Sequence, residues 1–103
     1  MKAIINGKRY NTETATLVAE YWNGIGKNNF RYVSEDLYIT KNGSWFMAGS
    51  GGAMTSYAKR HGNCTYGSQA VRTLTSDEAY AWLEDHDETI AIESYFPDLI
   101  KDA

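Results

Sequence analysis

A single cysteine, Cys64, leaves this 103-residue chain no internal disulfide. That excludes a disulfide-dependent secreted scaffold and argues for a reducing compartment. Pro97 is the only proline, and no apolar run approaches the roughly 20 residues that a membrane-spanning helix requires. The N-terminal stretch Met1–Gly7 has a lysine but only a short apolar run before a turn, so no signal peptide is expected and the cytoplasm is the expected location. Internal repeats and low-complexity tracts are also missing. What remains is an ordinary globular composition, 43% hydrophobic and 14% aromatic, of a size for one compact domain over residues 1–103.

The net charge of −3 conceals a segregation. From Ser76 onward stand nine acids, Asp77, Glu78, Glu84, Asp85, Asp87, Glu88, Glu93, Asp98 and Asp102, against Lys101 alone, a balance of −8. The first 75 residues hold nine Lys/Arg against four acids, a balance of +5. Such asymmetry points to a macromolecular partner. The plainer alternative is that the two charged parts attract one another within the fold.

The chain is organised around Ser44–His61, which reads as a strand running into a glycine-rich loop and leaving as a basic, Tyr-bearing segment. Before it, Lys2–Ile5 and Lys8–Tyr10 flank Asn6-Gly7, the signature of a tight hairpin. Ala15–Trp22 mixes helical spacing with strand-favouring residue types and reads as a strand after a helical turn. Asn23–Asn29 is a loop by composition. Phe30–Val33 and Asp36–Thr40 read as strand with a bend or bulge at Ser34-Glu35, and Lys41-Asn42-Gly43 turns the chain into Ser44–Ala48. There Trp45 and Met47 face one side of the sheet, Phe46 and Ala48 the other.

Gly49–Gly52 is expected to break that strand, Ala53–Arg60 to make two helical turns, and Gly62–Ser68 to be a loop before a strand at Gln69–Leu74. Thr75 with Glu78 has the spacing of a capping box, and Ala79, Trp82, Leu83 and His86 mark the buried face of the helix that follows. Asp87 is expected to cap a second helix carrying Ile92, Tyr95, Phe96 and Leu99, which Pro97 interrupts or ends. The fold class that results is α+β: an antiparallel, meander-like sheet with the C-terminal helices packed on one face.

The chemical motifs fail on detail. Gly49-Ser50-Gly51-Gly52 lacks the Gly-Lys-Ser/Thr of a phosphate loop, and Met54 replaces the third glycine of a dinucleotide fingerprint. His61 and Cys64 make two metal ligands at most, with His86 the only other candidate, and no third group orients them as a nucleophile pair. Adjacent carboxylates such as Glu84-Asp85 diverge on a helix instead of converging on a substrate bond. No enzyme, cofactor or metal site is therefore expected.

Two binding readings stand. In the first, a rigid acidic surface made of Asp77, Glu84, Asp85, Asp87, Glu88 and Glu93 imitates a phosphate backbone and occupies a basic groove of a protein partner. In the second, Arg31, Lys59, Arg60 and Arg72, with Lys27 and Lys41 and interleaved with Tyr32, Trp45, Tyr57 and Tyr66, make a basic aromatic sheet face for nucleic acid, against an overall pI of about 5.3. A third possibility is an assembly protein that dimerises through exposed aromatics. No membrane partner is expected, and the chain is expected as a monomer or homodimer.

The segments at positions 4–15, Glu35-Asp36-Leu37-Tyr38, Lys41–Phe46, Gly49–Ala58 and Leu74–Trp82 together resemble small proteins carried by bacteria, phages and other mobile elements. The resemblance spans most of the chain, but its motifs are turns, a glycine loop and a capped helix, so it brings no catalytic residues. Proteins of that setting include counter-defence factors such as anti-CRISPR proteins. The resemblance thus implies a non-enzymatic inhibitor of a host nucleic-acid-handling defence complex, a CRISPR–Cas effector, acting through the acidic surface.

Overall fold

The computed structural model describes residues 1–103. Asn6 and Gly7 take φ of 52° and 76°, the two left-handed residues of a type I′ turn, and fold β1 (Lys2–Ile5) onto β2 (Lys8–Asn11). Next, β3 (Thr16–Trp22), β4 (Val33–Ile39) and β5 (Trp45–Gly51) form an antiparallel meander. The chain then makes an excursion through a small exposed hairpin, β6 (Lys59–His61) and β7 (Cys64–Tyr66). It returns as β8 (Ser68–Leu74), which pairs with β5 and completes a four-stranded sheet of order β3-β4-β5-β8. Two helices, α1 (Ser76–Asp85) and α2 (Thr89–Tyr95), and a 3-10 turn at Pro97–Leu99 follow. The α+β architecture with C-terminal helices on the sheet is as expected.

Period-2 alternation divides the sheet into two faces. Leu37, Trp45 and Met47 point towards the helices and meet Ala79, Trp82, Leu83 and Ala91 in one core. Phe96 stacks on Trp45 at 5.4 Å, which fixes the return of α2 over the start of β5. On the opposite face Phe46 is wholly buried between Tyr38, stacked at 5.1 Å, and Tyr10, edge-on at 5.5 Å. Tyr10 is therefore how the β1–β2 hairpin grips the sheet, and the two covers share the adjacent residues Trp45 and Phe46.

Helix α1 begins with the anticipated reciprocal cap. The Thr75 hydroxyl accepts from the Glu78 N–H at 3.1 Å, and the Glu78 carboxylate accepts from the Thr75 N–H at 2.9 Å. These bonds hold the Glu78 carboxyl below its usual range. At the other end the Glu88 N–H reaches the Leu83 carbonyl at 3.0 Å and the Asp87 N–H reaches that of Glu84 at 3.2 Å. This is a Schellman closure, with Asp87 in the left-handed position at φ 56° where glycine is the usual occupant.

Five local expectations are corrected. Phe30 and Arg31 lie in a turn, and β4 runs unbroken from Val33 through Ser34-Glu35; the irregularity falls instead in β3, between Leu17 and Ala19. Gly49–Gly51 do not break the strand but extend β5, because the ring of Tyr57 lies over Gly49 where a side chain would stand. Ala53–Ala58 form turns, not helix, and Lys59 and Arg60 belong to β6. Gly62–Ser68 is largely hairpin: Gly62, at φ 61°, starts a two-residue turn that returns the chain as β7. Asp87 does not cap α2. Glu88 holds the N-cap position without a side-chain hydrogen bond, since Asp87 is committed to closing α1.

Candidate functional site

The helical acids gather mainly at the corner between α1 and α2. Glu84 and Asp85 end α1, Asp87 and Glu88 form the bend, and all except the half-buried Glu88 are exposed. Asp77 lies on the Glu84 stripe, seven residues earlier and so roughly 10 Å away along the axis. Glu93 is on α2, where with Tyr80, Ile92, Ile100 and Asp102 it lines a cavity of about 640 Å³. The structure thus brings four of the six predicted residues together and places Asp77 and Glu93 on the flanks. The approach of the Glu84 carboxylate first, and then desolvation, raise the pKa of the Tyr80 phenol.

None of these acids has a cation partner. The one ion pair in the fold joins Arg72 to Glu35, and Glu35 lies in β4, outside the acidic segment. No ion pair therefore joins the acidic segment to the basic part, and attraction between them is seen only as a minor effect of the Arg72 charge on Glu78. Moreover, the last turn of α1 holds no basic residue. Glu84 and Asp85 sit at the negative end of the helix dipole, where a carboxylate is disfavoured by about 0.3–1 kcal/mol. By contrast, Asp77 and Glu78 sit in the first turn, where the same dipole favours them.

The basic residues are distributed differently. Lys59 and Arg72 line one groove of about 530 Å³, beside β8. Arg60 is exposed on β6, and its Nε donates to the Gly62 carbonyl at 3.2 Å; Arg31 is exposed on the loop before β4. They form no single sheet face with the aromatics, because Trp45, Tyr57 and Tyr32 are buried and only Tyr66 of that group is open. A second hollow of about 600 Å³ adjoins the groove through Ser68, at the end of the sheet where β5 finishes and β8 begins.

Glu35 joins the two halves of the inner face. Its Oε1 accepts from Trp82 Nε1 of α1 at 3.1 Å, its Oε2 accepts from the Tyr57 hydroxyl, and Arg72 Nη2 stands 3.8 Å from Oε2. Burial first, then the bond to Glu35 and its charge, push the Tyr57 phenol far above its ordinary pKa, with Arg72 opposing. The Ser68 hydroxyl donates to the Tyr57 carbonyl, which ties the loop to β8. Sequence reasoning missed Glu35. The available signal was its register: it alternates with Leu37 and Ile39 on the helix-facing side, an inward charge that needs donors.

Comparison with protein-family models, with curated proteins and with solved structures finds no match to this chain.

Proposed function

We propose that this chain is a non-enzymatic binding protein whose acidic α1–α2 corner docks on a basic surface of a protein partner. The partner in this reading is a nucleic-acid-handling defence complex, a CRISPR–Cas effector whose nucleic-acid groove the carboxylates would occupy in place of phosphates. The observation that carries the reading is the unpaired state of Glu84 and Asp85 at the unfavourable end of α1. Solubility alone does not require carboxylates at the one helix end where they lower stability, and departures from local consistency concentrate at functional surfaces. The neighbouring hollow bounded by Tyr80 and Ile92 and edged by Glu93 supports an anchor for a Lys or Arg side chain, stem on the apolar wall and head on the carboxylate.

The test is a pull-down from bacterial lysates expressing candidate effectors, with nuclease added to a parallel sample. The wild-type chain is expected to retain an effector after nuclease and to reduce its binding of target DNA. The Glu84→Lys/Asp85→Lys variant, which keeps the fold, is expected to lose both by at least tenfold. Equal retention by wild type and variant refutes docking through the acidic corner.

A further inference from the structure

Beyond the acidic corner, the structure holds a second surface of opposite character. The hollow at the sheet end and the groove beside β8 adjoin at Ser68, and neither has a carboxylate in its wall although the chain carries 13. Two unpaired cations line them, Lys27 in the first and Lys59 in the second, where Arg72 also stands, paired with Glu35 behind the wall. Phe30 and Tyr66, 66% and 47% exposed, stand on the wall of the first hollow, far more open than the core aromatics Trp45, Phe46 and Trp82. The amides of Asn28 and Gln69 complete its rim.

This wall is built, not incidental. The Gly52 N–H donates to the Tyr32 carbonyl at 2.9 Å and the Met54 N–H to that of Phe30 at 2.8 Å, so the two loops on either side are tied together. A side chain at Gly52 would come within 2.5 Å of the Asn29 and Phe30 carbonyls, so the close approach of the loops depends on glycine there. Asn23 braces the same loop, donating to the Arg31 carbonyl at 2.7 Å and accepting from the Val33 N–H at 3.3 Å. Phe30 is thus presented on a braced loop.

We propose that the two hollows form one track for single-stranded nucleic acid. Lys27 and Lys59 meet successive phosphates, and unpaired bases stack on Tyr66 and Phe30. A duplex does not fit this arrangement, because paired bases keep their faces stacked on each other and leave nothing for the two rings. A neutral sugar would use the rings and amides but would gain little from two lysines without a carboxylate partner. Each hollow is within the range of about 300–1,000 Å³ that holds a small ligand, and their continuity through Ser68 favours a strand over one nucleotide. The site is separate from the acidic corner, so either reading can fail alone.

The experiment is fluorescence anisotropy with a labelled 20-nucleotide oligothymidylate, at 50 and 200 mM salt. Two phosphate contacts give a slope near −1.4 on a log–log plot, so affinity is expected to fall about sevenfold between those salts. Lys27→Glu/Lys59→Glu is expected to weaken binding at least tenfold and flatten the salt dependence. Tyr66→Ala is expected to weaken it at least about fivefold with the slope unchanged. Arg72 is left intact because it serves Glu35, and circular dichroism melts establish that the variants are folded. Glu84→Lys/Asp85→Lys is expected to keep the oligonucleotide. Absence of binding by the wild type, equal binding by Lys27→Glu/Lys59→Glu, or displacement by an equimolar amount of AMP overturns the proposal.

Discussion

Replacing Asp85 by lysine is expected to make the protein more stable while weakening its docking. Asp85 is the last residue of α1, exposed, with no cation in the final turn and no ion pair elsewhere. A carboxylate there opposes the helix dipole by about 0.3–1 kcal/mol, and an ammonium gains a similar amount, so the reversal is worth about 0.6–2 kcal/mol. Lysine's better helix propensity adds a few tenths of a kcal/mol. For a domain of this size the sum corresponds to a rise in Tm of roughly 3–15 °C. Thermal unfolding should be followed at low salt and again in about 1 M salt, where the Debye length falls to about 3 Å. At high salt the gain should shrink to the propensity remainder. Loss of stability at low salt, or a gain that salt does not reduce, would refute the claim that these acids are held against the dipole.

Three other substitutions probe the frame. Asp87→Gly relieves a left-handed backbone and is expected to stabilise by about 0.5–1 kcal/mol in urea titrations. Gly49→Ala would put a methyl group into the Tyr57 ring; it should cost about 1–3 kcal/mol and free the loop, seen as faster hydrogen exchange at Thr55–Tyr57. Asp36 stands directly across from Glu20, and burial first, then the Glu20 charge, raise its pKa. A carboxyl raised in the folded state binds its proton more tightly there than when unfolded. Stability is therefore lost as pH rises from the unfolded value through the folded one. Asp36→Asn should stabilise at pH 7 by about 0.2–1 kcal/mol, with the gain gone below pH of about 3.8, as melts across pH 3–7 would check.

Where local chemistry and burial agreed, the elements were legible. Asn6-Gly7, Lys41-Asn42-Gly43, the Thr75–Glu78 box and the 3.6-residue spacing of Ala79, Trp82 and Leu83 each announced themselves. The β6–β7 hairpin carried its signal too, Gly62-Asn63, but every residue of both strands is exposed, so no apolar alternation drew attention to it. The glycines of β5 misled for a tertiary reason: they serve close approach by Tyr57, Thr55 and the 29–32 loop, not chain reversal. The acidic corner was readable as composition, since the acids are consecutive in sequence. The residues Lys27, Lys59, Tyr66 and Arg72 were readable as basic and aromatic types, but not their selection from the rest, because only the fold buries Tyr32, Trp45 and Tyr57 and leaves Phe30 and Tyr66 open.

The Glu35 carboxylate has a consequence for how the domain comes apart. The molecule is a thin slab, 49 × 36 × 20 Å, with helices over one part of the sheet and the Tyr57 loop over the next. A slab with separate covers would tend to peel, each cover lifting on its own. Here α1 and the loop donate to the same side chain from positions 47 and 22 residues away, and that side chain is only 14% exposed. Lifting either cover leaves a mostly buried charge short of a donor, at about 1–3 kcal/mol or more. Glu35 thereby couples the two covers, so that loosening one is expected to weaken the hold on the other.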